Sequence, residues 1–291
     1  MIEILQGDAL KKIKLLRDKS IDCIVTSPPY WQLRDYGVMG QLGLEDTVEE
    51  YIEKLIEIFN ECWRVLKDTG TIFVNMGDTY SNSKSISIRK KSKMMIPEKI
   101  AIAMIERGWI LRNEIIWHKP NVVPEAVQDR FTNDFEKIYF FTKNEKYFFE
   151  KQYEAFSEKT LTAFKDGIMP TGKKKMLGAG ESRTGMREVN KPWKAAYNEK
   201  GRNMRTVWKI ATKGIPEAHF ATFPEELVRR CILAGCPESG IVLDPFLGSG
   251  TTLKVAKQLN RSGIGIELNQ EYIQIAKKRI GNDLFNEVQI K

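Results

Sequence analysis

The sequence predicts an α/β protein with a doubly wound, mostly parallel sheet, an antiparallel edge and one inserted region. Strand-like and helix-like segments alternate along most of the 291 residues, which favours a sheet with helices on both faces. The strand candidates IDCIV and TIFV are apolar almost throughout, as is typical of strands covered on both faces. Two longer strand candidates, 109–118 and 135–142, have no helical pattern between them, so we expect them to form the antiparallel edge.

Local signals place the elements of the first half. Thr47-Val48-Glu49-Glu50 is a capping-box sequence that predicts the start of a long amphipathic helix, and Gly70 is expected to end it. Pro97 and Gly108 are expected to begin and end a further helix. The predicted order is a strand at 2–5, a helix at about 8–17, a strand at 21–26, the helix after Thr47, a strand at 71–76, and the helix after Pro97.

Residues 151–205 interrupt the alternation, since TGKKKMLGAGESRTG has no helical or strand period. Residues 151–220 hold 15 Lys and Arg against 7 Asp and Glu, and the remainder of the chain is balanced. A basic segment on a neutral body indicates a polyanionic partner, with a solvated lysine-rich loop as the alternative. We therefore divide the chain into 1–150, an inserted region at 151–205, and 206–291. The last part predicts a helix at 224–235, a strand at 240–243, a helix from Gly250, a strand at 262–266 and a final helix.

Composition argues against several protein classes. No apolar run approaches the ~20 residues of a membrane span. The N-terminus lacks a basic region followed by an apolar stretch, so we expect a cytoplasmic protein that does not contact a membrane. Four cysteines without a CxxC pair and two histidines are poor material for a disulfide framework or a metal site. We expect no metal, and we expect Cys23, Cys62 and Cys231 to be buried as small apolar residues.

A glycine turn in the last part indicates a cofactor site. IVLDPFLGSGTTLKVAKQL, residues 241–259, is a strand, a turn and a helix; its glycines let a ligand approach the backbone, and the helix start offers free N–H groups. Glu267 ends the next strand, 23 residues beyond Asp244, where an acid typically accepts from ribose hydroxyls. The turn matches neither a phosphate-binding loop nor GxGxxG, so the combination predicts an adenosine-type cofactor.

Together, DPFLGSGTT and TSPPY resemble the motifs of the S-adenosylmethionine-dependent DNA amino methyltransferases. The catalytic motif precedes the cofactor motif, as in their β group, whose Rossmann-like methyltransferase fold is circularly permuted. The segments 26–37, 112–121, 129–149 and 219–237 also resemble recurrent segments of that group. The resemblance implies S-adenosyl-L-methionine as cofactor, double-stranded DNA as partner, and a target-recognition role for 151–205. It also implies a restriction-modification system, with a cognate endonuclease acting separately and a monomer or weak dimer in solution.

The resemblance gives Ser27-Pro28-Pro29-Tyr30 a catalytic role. An exocyclic amino nitrogen is a poor nucleophile because its lone pair is delocalised into the ring, and two fixed acceptors for its hydrogens would favour a tetrahedral nitrogen. We expect the Ser27 hydroxyl and the Pro28 carbonyl to be these acceptors, held by rigid prolines. The ring of Tyr30 would stack on a base that has left the duplex. On the tetrapeptide alone, a rigid surface turn is the alternative.

The resemblance also favours cytosine N4 as the methylated atom, because serine at the first motif position usually accompanies that target. Adenine N6 is the alternative. Methylation at cytosine C5 needs a cysteine nucleophile, and no Pro-Cys pair is present. Two other classes stay open: a DNA-binding protein that uses the cofactor only as a ligand, and an RNA-modifying enzyme.

Further candidates follow from position or from the family motifs. For Asp8 a helix N-cap is an equal alternative, for Phe246 a core position, and for the basic stretch around residues 84–93 a solvated loop. We predict cofactor contacts for Asp8, Thr26, His219, Phe220, Asp244, Pro245, Phe246, Gly248, Ser249, Gly250, Thr251, Thr252 and Glu267. We predict DNA contacts for Trp31, Arg89, Lys90, Lys91, Arg183, Arg187, Arg202 and Arg205.

Overall fold

A computed structural model describes residues 1–82, 88–158, 161, 198–212, 223–281 and 288–290. The chain forms two compact units: one comprises Met1–Glu150 and Thr206–Lys291, and the other comprises Lys151–Arg205. The described part of the first unit is built on a nine-stranded sheet. The described part of the second contains a two-stranded antiparallel ladder.

Strands and helices alternate along the first unit, as the sequence predicts. In chain order the elements of both units are β1 (Ile2–Gln6), α1 (Ala9–Ile13), β2 (Ile21–Thr26), α2 (Val48–Val65), β3 (Leu66–Met76), α3 (Ile96–Glu106), β4 (Ile110–His118), β5 (Phe135–Thr142), β6 (Tyr153–Glu154), β7 (Arg202–Asn203), β8 (Val207–Lys209), α4 (Glu225–Gly235), β9 (Ile241–Asp244), α5 (Thr251–Gln258), β10 (Ser262–Glu267), α6 (Gln270–Ile280) and β11 (Val288–Ile290).

The sheet is mostly parallel, which confirms the predicted fold class. Its strand order is β11-β1-β10-β9-β2-β3-β5-β4-β8. β5 is antiparallel to both of its neighbours, and the other described pairs are parallel. The carboxyl ends of most strands therefore lie at one edge of the sheet, together with the amino end of β5.

Helices cover both faces of the sheet, and side chains of β1 show the division. Ile2 and Ile4 pack in a cluster with residues of α5 and α6. Leu5, on the opposite face, packs in the main cluster with residues of α1, α2 and α3. Strand residues alternate between faces, so two separate apolar layers bury the sheet.

Three features differ from the prediction. The first helix, α1, ends at Ile13 and not at about residue 17. The antiparallel pair β4–β5 does not form the edge, because β8 pairs with β4 on its outer side. Gly70 does not end α2, because the chain passes from Val65 directly into β3. A Cβ atom on Gly70 would lie 2.5 Å from Cγ of Leu66. Glycine is therefore needed at this point for packing inside an irregular part of the strand.

The caps and the cysteines behave as predicted. The Thr47 side chain accepts a hydrogen bond from the Glu50 N–H at 3.2 Å and caps α2. Cys23, Cys62 and Cys231 are buried and reduced. Among the described residues, none of the helices combines the length and apolar character that a membrane crossing requires.

Gly235, at the end of α4, lies where this helix packs closely against the sheet. A Cβ atom there would lie 2.3 Å from Oγ1 of Thr71 and 2.7 Å from Cε2 of Phe73. We expect Gly235→Ala to lower the free energy of unfolding by about 1–3 kcal/mol because the added methyl overpacks this contact. Urea denaturation measures the change, with the exposed helix substitution Glu53→Ala as control. Equal stability of both variants would contradict the packing.

Candidate active site

One cavity lies at the edge of the sheet where the parallel strands end. It has a volume of about 360 Å³, within the range of small-molecule sites. Residues at or just beyond the carboxyl ends of β1, β2, β3, β4, β9 and β10 line it, together with Glu136 at the start of β5. Doubly wound folds bind ligands at this edge. The cavity therefore has the expected location, and its two ends differ in chemistry.

The Ser-Pro-Pro-Tyr corner forms one end of the cavity. Ser27, Pro28, Pro29 and Tyr30 all line it, directly after β2. The hydroxyl of Tyr51, on α2, donates to the Pro29 carbonyl at 2.7 Å. The corner is thus rigid through its prolines and is held from behind by Tyr51, on the buried face of α2.

The hydroxyl of Tyr30 is held in a hydrogen-bond network. It donates to Oε2 of Glu136 at 2.8 Å and accepts from Nδ2 of Asn75 at 2.9 Å. It also lies 3.3 Å from the Ser27 hydroxyl. Burial, followed by the nearby charge of Glu136, raises the pKa of Tyr30 well above its ordinary value. The phenol therefore stays protonated, and its ring has a fixed orientation.

Four further residues line this end that the sequence analysis did not single out: Asn75, Trp117, Lys119 and Glu136. The Lys119 ammonium forms an ion pair with Glu136 and lies 4.5 Å from the centre of the Trp117 ring. Oδ1 of Asn75 is buried and has no hydrogen-bond partner among the described residues. Polar residues at the ends of three predicted strands were the available signal, but only the strand pairing shows that they converge.

Glu267 forms the other end of the cavity. Its Oε2 accepts from the Gly248 N–H at 2.7 Å and its Oε1 from the Asn269 N–H at 2.7 Å. Burial raises the pKa of this carboxyl above its ordinary value. Gly248 has a φ of +53°, which glycine adopts without strain. The glycine turn thus positions a carboxylate whose oxygens each keep a second lone pair.

Several predicted cofactor residues line the cavity with Glu267. They are Asp8, Pro245, Phe246, Gly248, Ser249 and Thr251. Asp8 also caps α1, because its carboxylate accepts from the Lys11 N–H at 2.9 Å. The partly buried ring of Phe246 packs against the main core cluster as well. The helix cap and the core position are thus observed, and a cofactor contact at either residue stays a prediction. His219 and Phe220 lie outside the described residues.

Thr26, Asp244 and Thr252 lie behind the cavity wall, so the prediction that they contact a cofactor is wrong. All three are buried. The Asp244 carboxylate accepts from the hydroxyls of Thr26 and Thr252 at 2.7 and 2.6 Å, and from the Phe246 N–H at 3.1 Å. They support the wall that the turn presents.

Gly250 also does not line the cavity, contrary to the prediction. It has a φ of +85° at the N-cap of α5. A Cβ atom there would lie 2.8 Å from Cβ of Ala276. Its role is to let α5 approach α6.

The predicted DNA-contacting residues fall into four groups. Trp31 is only 7% exposed and its indole N–H donates to the Glu45 carbonyl at 3.0 Å, so the prediction for Trp31 is wrong. Arg89, Lys90 and Lys91 are exposed, and Lys91 pairs with Asp129. In the second unit, Arg202 and Arg205 both pair with Glu154, at 2.7 and 2.6 Å. Arg183 and Arg187 lie outside the described residues.

The fold and the cavity define a Rossmann-like α/β enzyme with two chemically different ends to one site. A model of the DNA methylase family covering N6 and N4 methyltransferases matches residues 21–278. The chain is 38% identical to the type II methyltransferase M.Cfr9I of Citrobacter freundii, over 99% of this chain and 90% of that protein. It is also 38% identical to M.SmaI of Serratia marcescens, over 96% and 90%. The chain belongs to this DNA methylase family, which confirms the resemblance found in the sequence.

Solved structures share the fold. The PvuII DNA methyltransferase, described as cytosine-N4-specific, superposes with a TM-score of 0.67 at 19% identity, over 97% of this chain and 87% of that chain. A DNA modification methylase of Thermus thermophilus, described as putative and solved in complex with S-adenosyl-L-methionine, superposes with a TM-score of 0.62 at 23% identity, over the full length of both chains. These likenesses place the nine-stranded sheet among Rossmann-like methyltransferase folds.

The buried Asp244 carboxyl generates a prediction on pH. Burial raises its pKa from the ordinary 3.8 to about 6. Between these values the folded chain keeps a proton that the unfolded chain releases, so the free energy of unfolding falls as pH rises through this window. An asparagine cannot titrate. We therefore expect the free energy of unfolding of Asp244→Asn to fall between pH 4 and pH 7 by about 1–3 kcal/mol less than that of the unmodified protein. Urea denaturation at both pH values measures this.

The exposed substitution Asp46→Asn is the control for that measurement. Its stability should change with pH as the unmodified protein's does. An Asp244→Asn variant with the same pH dependence as the control would show that the carboxyl titrates alike in the folded and unfolded chain.

Proposed function

We propose that this DNA methyltransferase transfers a methyl group from S-adenosyl-L-methionine to N4 of cytosine in double-stranded DNA. One observation carries the proposal: the Ser27 corner and the Glu267 carboxylate line the same cavity. A reacting amino group and a nucleoside cofactor would therefore share one enclosed site. The choice of cytosine is supported by serine at the first position of the corner and by the description of the PvuII enzyme as cytosine-N4-specific. Adenine N6 is the alternative, because the family includes both activities.

The residues of the second end fit the cofactor. Glu267 would accept hydrogen bonds from the ribose hydroxyls, since its oxygens are fixed by two backbone N–H groups and retain lone pairs. Pro245 and Phe246 would provide an apolar wall for the adenine, and Asp8 an acceptor for its amino group. When bound, S-adenosylmethionine supplies a methyl group activated by a sulfonium charge.

The residues of the first end would prepare the nucleophile. The target base must leave the duplex to reach the cavity, and the Tyr30 ring would stack on it. The Ser27 hydroxyl and the Pro28 carbonyl would accept the two amino hydrogens, which directs the nitrogen lone pair toward the methyl carbon. The nitrogen would form its bond to the methyl carbon as the bond between that carbon and sulfur breaks, which would leave S-adenosylhomocysteine, and the nitrogen would then release one proton to solvent. We expect these steps to need no metal ion.

The remaining parts of the proposal concern partners. The second unit, Lys151–Arg205, would recognise the target sequence, with Arg202 and Arg205 among its contacts and Arg89, Lys90 and Lys91 of the first unit on the phosphates. The similarity to type II methyltransferases supports a role in restriction-modification, beside a separate endonuclease. We expect a monomer or weak dimer that acts in the cytoplasm, where its DNA substrate is.

Nucleoside analysis tests the proposal directly. DNA from cells that express the protein is digested and examined by mass spectrometry, with cells expressing Ser27→Ala as control. We expect N4-methylcytosine that is absent from the control. N6-methyladenine in its place would overturn the choice of base, and no methylated nucleoside would overturn the proposed activity.

Substitutions at Tyr30 separate the ring from its hydroxyl. We expect Tyr30→Ala and Ser27→Ala to lower kcat by about 100-fold or more, because each removes a group that orients the amino nitrogen. Tyr30→Phe keeps the stacking ring and should retain more activity than Tyr30→Ala. Steady-state assays with tritiated cofactor give kcat, and calorimetry gives the cofactor Kd. The assigned role would be wrong if cofactor affinity fell as much as turnover in these variants.

Glu267→Gln tests the cofactor end. The substitution keeps the size of the side chain but replaces the charged carboxylate that would accept from the ribose hydroxyls. We therefore expect the Kd for S-adenosylmethionine to rise about 10-fold or more. Turnover at saturating cofactor should change far less. Calorimetric titration measures the Kd, and Glu271→Gln, an exposed acid at the start of α6, is the control. Unchanged affinity in Glu267→Gln would remove Glu267 from the cofactor site.

A further inference from the structure

The ion pair of Lys119 and Glu136 has not been given a role in the proposed methyl transfer. Both side chains are largely shielded from water, with 18% and 16% of their surfaces exposed, and both line the cavity beside the Ser27 corner. Shielding a charged pair costs desolvation energy that the attraction between the charges often fails to recover. Such a pair is therefore weak evidence for stability, and its place in the cavity points to a ligand.

The surroundings of Lys119 fix its ammonium but leave it with donors to offer. Trp117 lies beneath it, and Glu136 is itself held by the Tyr30 hydroxyl and the Asn75 amide, both at 2.8 Å. An ammonium has three N–H donors. Among the described residues its one hydrogen-bond acceptor is Oε1 of Glu136. Two donors are available to a molecule in the cavity.

A chain of contacts separates Lys119 from the Ser27 hydroxyl, along the network that holds Tyr30. From the Ser27 hydroxyl, successive contacts lead to the Tyr30 hydroxyl at 3.3 Å, to Glu136 at 2.8 Å, and then to Lys119. A base whose amino group is bound at Ser27 and whose ring lies on Tyr30 presents the other end of its edge in this direction. In cytosine that end is the O2 carbonyl, an acceptor. In adenine the corresponding atom is C2, which carries only hydrogen.

We propose that Lys119, positioned by Glu136, donates a hydrogen bond to O2 of the target cytosine and thereby discriminates cytosine from adenine. The inference rests on the proposed cytosine N4 activity. A site built to hydrogen-bond a polar group rejects a substrate without that group strongly, because its own donor is left unpaired. Selection between the two amino-bearing bases is then made at the side of the ring opposite the reacting nitrogen.

A cytosine analogue without O2 tests this assignment. The 2-aminopyridine C-nucleoside keeps the amino group and the adjacent ring nitrogen but has C–H in place of the carbonyl. It is placed at the target position of a synthetic duplex whose sequence is the methylated site found in expressing cells. The ratio of kcat/KM for cytosine to that for the analogue is compared among variants, so differences in intrinsic reactivity cancel.

We expect the ratio for the unmodified enzyme to exceed that for Lys119→Met by about 10-fold or more. Lys119→Arg should retain part of the preference, since it keeps a charged donor. The control is Lys93→Met, which removes a lysine that also lies over an aromatic ring, 5.2 Å from the centre of Phe135, but does not line the cavity. Its ratio should equal that of the unmodified enzyme. The double variant Lys119→Met with Glu136→Gln avoids an unpaired charge and should show the same loss of preference.

Two results would overturn the inference in distinguishable ways. If the unmodified enzyme methylates cytosine, and Lys119→Met and the double variant both show the same ratio as the unmodified enzyme, the proposed function stays intact and Lys119 has another role, such as phosphate contact. An unmodified enzyme that methylates adenine alone would overturn the proposed function and this inference together.

Discussion

The buried carboxylate of Asp244 is the interaction on which the site depends. It accepts from Thr26 and Thr252 and from the Phe246 backbone. Thr26 immediately precedes the Ser27 corner, Phe246 lines the cavity, and Thr252 is in the first turn of α5. One desolvated acid therefore ties the end of β2 to the turn after β9, across 218 residues of sequence. Buried polar networks with all members satisfied specify a single arrangement, and here that arrangement sets the distance between the Ser27 end and the Glu267 end of the cavity.

The antiparallel strand β5 is the second constraint. Most polar residues of the cavity follow the carboxyl end of a strand, as the parallel sheet dictates. Glu136 reaches the same edge because β5 runs in the opposite direction between β3 and β4. Reversal of a single strand thus adds a carboxylate at the edge where the neighbouring strands end, and Glu136 in turn orients Tyr30, Asn75 and Lys119.

Much of the fold and part of the site could be predicted from sequence, and the failures have physical causes. Apolar periodicity located most strands and helices, because it reports burial directly. Glu267 and Ser27, which both line the cavity, were singled out because Glu267 ends the strand after the glycine turn and Ser27 begins a proline corner directly after a strand. Thr26, Asp244 and Trp31 were misassigned because a motif does not show which side of the backbone faces a cavity. Lys119 and Glu136 were missed because their meeting depends on pairing between β4 and β5, and residue spacing does not contain that information.

The same pairing has a consequence for how this enzyme can diversify. The backbone N–H of Lys119 donates to the Asp134 carbonyl at 2.7 Å, and the Lys119–Glu136 ion pair lies directly beyond it. The loop between β4 and β5, residues 119–134, therefore has its two ends joined to each other where it meets the sheet. At its outer part, Val123 and Phe131 are almost fully exposed. Insertions, deletions or exchanges within this loop can therefore accumulate during divergence and change the exposed surface beside the cavity, while the cavity itself keeps its shape.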